Sequence, residues 1–301
     1  MESVESLAYV LALTRLRGTS LSRPDRVSEL LLCGDAEEAY SRARASDGTL
    51  GVDVADGVRR ARDDIERWVE CGYGIVSVLS SRYPSRVREI REAPALLYYE
   101  GALLSDDDAV CVVGSRRASR GGLRDADAAA RALVAHGYTV LAGLAAGIDT
   151  AAHRAAVERG GRTVAVMGTG LDQTYPAANI GLRREIVSSG GLVLTQFEPG
   201  TRTTRRNFPM RNAVMSGYGL ASFIVEAGET SGTRAQTRLA LGHGRAVILA
   251  PRVATSTSWG QEAAHTHAAV VAASSSELLG YVDSLRARRE STARQMAALL
   301  W

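Results

Sequence analysis

Lysine is missing from this chain: all 36 basic residues among its 301 positions are arginine. A phosphate loop of the form G-x-x-x-x-G-K-[ST] needs a lysine to reach the outer phosphates, so a P-loop ATPase is excluded in its usual form. Codon bias in a G+C-rich genome is sufficient to explain the missing lysine. The arginines that take its place are planar, bidentate donors suited to phosphate. Cysteine is scarce too. Cys33, Cys71 and Cys111 stand far apart with no C-x-x-C spacing, which indicates neither a zinc site nor a disulfide framework and reads as buried, reduced thiols. No apolar run approaches the ~18 residues of a membrane helix, and the opening "MESVESLAYV" has acids where a signal peptide would be basic. The chain therefore reads as cytoplasmic, with no membrane partner. There is no G-x-S-x-G elbow and no pair of carboxylates in a glycine turn, so neither nucleophilic hydrolysis nor paired acid–base chemistry has its residues.

Apolar residues make up 46% of the chain, ample for a real core. The net charge of +3 is too small to imply a polyanionic partner by itself, but its distribution is uneven. No acid occurs between Glu198 and Glu226, where Arg202, Arg205, Arg206 and Arg211 stand. None occurs between Asp108 and Asp125 either, around Arg116, Arg117, Arg120 and Arg124.

Residues 1–71 read as a small helical domain. "VESLAYVLALTRLRG" stops at Gly18, "PDRVSELLLCG" opens on Pro24 and ends at Gly34, and "GVRRARDDIERWVECG" runs to about Gly72. Short helices joined by glycine turns suit either a SAM or helix-hairpin-helix-like nucleic-acid module or a packing appendage. Next, the stretch around Tyr83-Pro84 holds a short strand, a basic helix and the strand "ALLYYEG", which add to a sheet edge or bridge the modules. From Ala109 onward, β-branched runs alternate with amphipathic helices six times: "AVCVVGS", "YTVLAG", "TVAVMG", "LVLTQ", "ASFIVEAG" and "RAVILAP" are the strands. Strands apolar on both faces belong to a parallel sheet covered by helices on both sides. The fold class is α/β, an extended Rossmann-like doubly wound parallel sheet over 72–284, preceded by the helical domain and followed by a helix over 285–301.

Ligands of such sheets bind beyond the carboxyl ends of the strands, so the strand-to-helix turns matter most. Nearly all carry glycine, which lets a backbone approach a ligand and presents amides at a helix start. "VMGTGLDQTYP" has Gly168 and Gly170 but Gln173 in place of a third glycine, which is not a dinucleotide fingerprint. His265 and His267 form H-x-H without converging ligands and read as a surface or capping pair. Asp149 either contacts His153 one helical turn on or caps the helix and fixes the glycine turn before it. Glu226, at a strand end, reads as an acceptor for neighbouring loop amides. Ser231, Gly232 and Thr233 in "EAGETSGT" could give hydroxyl and amide donors to a phosphate, or form an ordinary N-cap.

Taken together, "CVVGSRRASRGG", "AGLAAGIDTAAHRAA", "GTGLDQTYPAAN", "NFPMRNAVMSG", "VEAGETSGT" and "GRAVILAP" resemble the DNA processing protein A (DprA/Smf) family in order and spacing. The resemblance extends from the first helix to about residue 280. It implies a single-stranded DNA binder that acts as a homodimer and loads the recombinase RecA onto incoming DNA in natural transformation, with no catalytic residue, metal or cofactor. The positions carried over are Gly114, Ser115, Arg116 and Arg117 in the first turn and Gly143 in the second. Arg205, Arg206, Asn207, Phe208, Arg211 and Asn212 follow in "RRNFPMRN", with Ser231, Gly232 and Thr233 after them. Independently of any family, single strands favour basic grooves interleaved with stacking surfaces, and Phe208 among arginines offers both, either stacking a base or anchoring its loop.

Several positions depart from the family pattern. Ala213 replaces an arginine, Ala142 a serine and Ala146 a charged residue. Thr195-Gln196 stands for Ser-Glu, Pro251-Arg252 for Pro-Gly, and Glu262 and Ala268 alter a later motif. The winged-helix tail of many members is not expected after the terminal helix. Two other readings share the fold superfamily: a nucleotide-sensing module, and a LOG-like nucleotide phosphoribohydrolase, against which Gln236 stands where a carboxylate is expected.

Overall fold

A computed structural model describes residues 2–16, 21–45 and 54–299. Four helices come first: α1 (Val4–Arg15), α2 (Arg23–Cys33), α3 (Ala36–Ala45) and α4 (Val54–Glu70). Local chemistry starts and stops them. Ser3 caps α1, a Ser22/Asp25 capping box opens α2, and Gly34 ends α2 at φ 68°. The turn expected at Gly18 lies outside the described residues. Helix α3 was not expected: its buried face is Ala36, Ala39, Tyr40 and Ala43, three alanines and one tyrosine that do not register as an apolar stripe. Helix α4 buries Val58, Ala61, Ile65 and Trp68 at helical spacing.

These helices share one core with the sheet. Trp68 meets Tyr98 edge-on at 5.4 Å, and Arg15 bridges Asp64 of α4 at 2.7 Å to Glu198 at 2.6 Å. Of the cysteines, all unpaired, only Cys111 is buried; Cys33 is half-buried and Cys71 is exposed, because Cys71 follows the last turn of α4 on its solvent side.

The sheet has nine strands: β1 (Gly74–Ser77), β2 (Leu96–Gly101), β3 (Ala109–Gly114), β4 (Thr139–Ala142), β5 (Thr163–Val166), β6 (Leu192–Thr195), β7 (Ala221–Glu226), β8 (Ala246–Leu249) and β9 (Val270–Val271). Their order is β1-β2-β6-β5-β4-β3-β7-β8-β9, and every pairing from β6 to β9 is parallel. The hairpin β1–β2, joined through α5 (Ser85–Arg88), closes one edge antiparallel. Two apolar layers result. In β3, Cys111 and Val113 point into the layer shared with α1 to α4, while Val110 and Val112 face the other layer. Helices α6 (Arg120–Ala135), α7 (Ile148–Glu158) and α13 (Ser275–Leu299) cover that second layer. The remaining helices are α8 (Ile180–Ser188), α9 (Asn207–Tyr218), α10 (Gly232–Gly242), α11 (Pro251–Ser256) and α12 (Ser258–His265). The doubly wound expectation is met. The helix expected over 285–301 starts earlier, at Ser275, and runs unbroken across position 285.

From β3 the chain winds outward through β4, β5 and β6, then crosses back to place β7 on the other side of β3. The carboxyl ends of β3 and β7 therefore diverge, and the turns after β3, β4, β5 and β6 gather at one rim. On the opposite rim Asp107 is a buried carboxylate hub: Thr139 donates to one oxygen at 2.5 Å, and Arg162 and Tyr218 to the other at 2.9 Å each. Removing it strands two hydroxyls and the Nε of Arg162, whose other nitrogens stay on the carbonyls of Gly190 and Ala102. Asp107→Ala should lower stability by about 3–5 kcal/mol, measured by urea denaturation; a loss under about 1 kcal/mol would show that water replaces the hub.

Candidate nucleic-acid interface

The rim above β4 and β5 is organised by Arg211, the fifth residue of α9. Its side chain is only 6% exposed, and one terminal nitrogen donates to the carbonyls of Gly143 (2.6 Å) and Val166 (2.9 Å), at the ends of two neighbouring strands. Its Nε donates to Asn212 at 3.0 Å. A Cβ on Gly143 would stand 1.9 Å from the guanidinium, so only glycine admits this side chain. Asp149, fully buried at the start of α7, accepts from the amides of Gly143 (2.9 Å) and Ala145 (3.3 Å). Burial raises its carboxyl, while the charge of Arg211 and those amides pull it back down. Asp149 thus fixes the glycine turn and does not pair with His153. His153 instead meets Thr163 at 2.7 Å, and burial, with the charge of Arg211 second, pushes its imidazole down to about 3.

The turn held this way is strained. Leu144, fully buried, has φ 58°, a left-handed conformation rare for a bulky residue. Asn179 stabilises it by donating to the Leu144 carbonyl at 2.9 Å and to Thr150 at 2.9 Å. Gly147, at φ 80°, lies against the backbone of Ser115 and Arg116, where a Cβ would come within 2.2 Å. The first two glycine turns are therefore locked together.

On this base sits Phe208, half-buried against Gly168. The guanidinium carbons of Arg116 and Arg211 lie 4.7 Å and 5.9 Å from its ring centre, and the Tyr175 ring is 6.1 Å away. Both Arg116 and Tyr175 are exposed, so Phe208 is at once an anchor and the middle of a surface of guanidinium and tilted aromatic rings. In the two turns that meet at the Arg116–Phe208 contact, Arg116, Arg117, Arg120, Arg202, Arg205 and Arg206 are exposed, and none has a carboxylate within ion-pair distance among the described residues.

The expected residues thus divide. Arg116 meets Phe208 at the rim, Arg117 follows Arg116 in its turn, and Arg205 and Arg206 lie in the segment that leads into α9. Gly114, Ser115 and Gly143 shape the turns beneath. Asn207 and Arg211, expected to touch a ligand, turn their donors inward instead: Asn207 is buried and its amide donates to Gly168 (2.9 Å) and Arg202 (3.2 Å). The side-chain oxygen of Asn212 accepts from Arg211. Ser231 and Thr233 bond to each other at the start of α10, and among the described residues no hydrogen bond or ion pair joins Ser231, Gly232 or Thr233 to the Phe208 cluster. Tyr175, Gly147 and Asn179 were passed over in the sequence. Only the "TYPAAN" segment of the third turn could have pointed to two of them.

The crevice between β3 and β7 is different in character. Glu226 accepts from the Ser119 amide at 2.9 Å and from its hydroxyl, at the N-terminus of α6. Arg252 lines the same crevice and pairs with Glu226 (3.3 Å) and Asp125. The helix start that in a dinucleotide fold receives phosphate holds the chain's own carboxylate. Ala142 and Ala213 are buried, and Thr195 donates to the carbonyls of Met167 (3.2 Å) and Thr169 (2.8 Å). His265 and His267 are exposed, and no three metal-ligating side chains converge among the described residues.

A depressed imidazole has a signed consequence. His153 stays neutral in the fold while the unfolded chain binds a proton below about 6.5, so its contribution is present above that pH and declines from there towards pH 3. His153→Gln should flatten the fall in urea stability between pH 7 and 5, where the His153 proton alone adds a slope of at most about 1.4 kcal/mol per unit. An unchanged slope would show that His153 titrates normally in the fold.

Among known proteins, the family model for DNA recombination-mediator protein A matches residues 74–283. The DNA processing protein DprA of Streptococcus pneumoniae is 39% identical over 176 residues, which are 58% of this chain and 62% of that protein. The putative DNA processing protein DprA of Mycobacterium tuberculosis is 32% identical over 253 residues, covering 77% of this chain and 64% of its own length. The chain thus spans under two-thirds of these relatives. Among solved structures, the pneumococcal DprA superposes with a TM-score of 0.69 at 28% identity over 93% of this chain and 98% of that one. The DNA processing protein A of Helicobacter pylori, described for its single-stranded DNA binding mode, gives 0.63 at 22% identity over 72% and 96%, a likeness of fold. With its six turn motifs, its sheet order and a family match over most of its length, the chain belongs to the DNA recombination-mediator protein A (DprA/Smf) family.

Proposed function

We propose that the chain binds single-stranded DNA at the Phe208 rim, acting in DNA processing during transformation. There it protects incoming strands and, as a homodimer in the cytoplasm, loads RecA. The observation that carries the binding step is the Arg116–Phe208–Tyr175 surface, formed where two turns rich in exposed arginines without carboxylate partners meet. Phosphates pair with guanidiniums, and unstacked bases replace lost stacking on planar side chains, typically worth ~1–3 kcal/mol per base. A duplex offers only its sugar–phosphate exterior to such a surface, so single strands are preferred. The single-stranded DNA binding mode described for the Helicobacter pylori protein and the family membership support the same reading.

Geometry favours this over the two readings that share the fold. A nucleotide sensor would use the β3–β7 crevice, where Glu226 repels phosphate and Arg252 is already paired. A phosphoribohydrolase needs a carboxylate near the start of α10, where Gln236 is buried and donates to Ser222 at 3.4 Å.

The test is fluorescence anisotropy of a labelled oligonucleotide of about twenty bases at several salt concentrations. Arg116→Ala and Arg206→Ala should each weaken binding and flatten the logarithmic salt slope by about 0.7. Arg289→Ala should do neither, because Arg289 is held by Asp106 at 2.5 Å and Asp108 at 3.3 Å. Equal effects from all three would mean nonspecific adhesion. Competition by a mononucleotide but not by an oligonucleotide would transfer the site to a nucleotide ligand.

A further inference from the structure

Helix α9 divides two surfaces. Phe208 and Arg211 face the glycine turns, while Pro209, Met210 and Ala213 line a groove of about 1290 Å3 on the other side. Its walls are α2, the segment around 89–98, the loop after β6, and α10. The helical N-terminal region and the sheet region both contribute to it.

The charges in this groove are not balanced. Each acid on its wall already has a partner: Glu89 with Arg245 at 2.6 Å, Glu198 with Arg15 at 2.6 Å, and Glu92 accepting from His243 at 2.9 Å. Four arginines do not: Arg23, Arg91, Arg206 and Arg238 are exposed and have no carboxylate within ion-pair distance among the described residues. Arg91 only feels Asp25 at longer range, and Arg23 reaches Met210 Sδ at 3.7 Å. Between the arginines the floor is apolar, with the buried amide nitrogen of Gln196 lacking an acceptor.

We propose that this groove is a second subsite for the same single strand, in which Arg23, Arg91 and Arg238 hold the phosphates that continue past the Phe208 rim. The proposal rests on the single-strand reading of that rim. Continuity supplies the occupant: Arg206 is on the groove wall and stands only two residues before Phe208 in the chain, so a backbone leaving the rim at α9 meets the groove at a positive charge. The buried aromatics Tyr98 and Phe197 offer no stacking face, so the subsite grips phosphate without choosing bases.

Anisotropy with two labelled oligothymidylates, about six and about twenty nucleotides long, separates rim from groove. The Arg91→Ala/Arg238→Ala variant should bind the short strand as the wild type does. It should bind the long one about tenfold more weakly, with the salt slope flattened by about 0.7 per arginine removed. Arg238→Glu alone should reproduce the selective loss, which guards against a folding defect in the double variant. Unchanged binding of the long strand overturns the groove proposal and leaves the wall to another class of partner, such as an acidic protein. Equal loss for both lengths also overturns it, because the arginines then act at the rim. If the wild type binds neither length in a salt-dependent way, the parent reading fails and the groove proposal falls with it.

Discussion

Everything at the rim depends on one guanidinium being buried. Arg211 is taken out of water and compensated by the carbonyls of Gly143 and Val166, by Asn212, and by the negative charge of Asp149 behind the turn. Burial of an arginine costs several kcal/mol unless its donors are met. The carbonyls that meet them lie at the carboxyl ends of β4 and β5, where the parallel ladder leaves acceptors without strand partners. The sheet's unpaired ends and the helix's buried cation therefore satisfy each other. The position of α9, and with it Phe208, follows from that bond pair.

The same residue type does opposite work a few positions away. Arg205 and Arg206 precede α9, where side chains project into water and no carboxylate approaches. Arg211 lies one turn inside the helix and points at the sheet. A run that looks uniformly basic in one dimension is, in three, an internal strut and an external crest. Ala213 fits this division: it is buried on the groove side of α9, so the small side chain leaves the groove open where an arginine would enter it.

The alternation of strands and helices from Ala109 onward was legible because each strand is buried on both faces and reads as a continuous β-branched run. Helix α3 was not, since its buried face is three alanines, Ala36, Ala39 and Ala43, and a single aromatic, Tyr40, which carry little periodic apolar signal. The start of α13 at Ser275 was missed because "SSSELLGYV" follows a two-residue strand too short to mark a boundary. At the site, the arginines and Phe208 were legible as residue types. The inward roles of Asn207 and Arg211 were not, because whether a polar side chain meets solvent or a strand end is decided by a partner far along the chain.

Composition and local pattern determined the fold class, the glycine turns and the two acid-free arginine segments, because periodicity and turn chemistry act over a few residues. The tertiary structure decided the rest. It brought Arg116 over Phe208, put the carboxylate of Glu226 where a phosphate would sit in the β3–β7 crevice, and paired the acids of the α2–α10 groove while leaving Arg23, Arg91, Arg206 and Arg238 without carboxylate partners. Each of these is a contact between residues tens of positions apart. Only the crossing order of the sheet makes them neighbours.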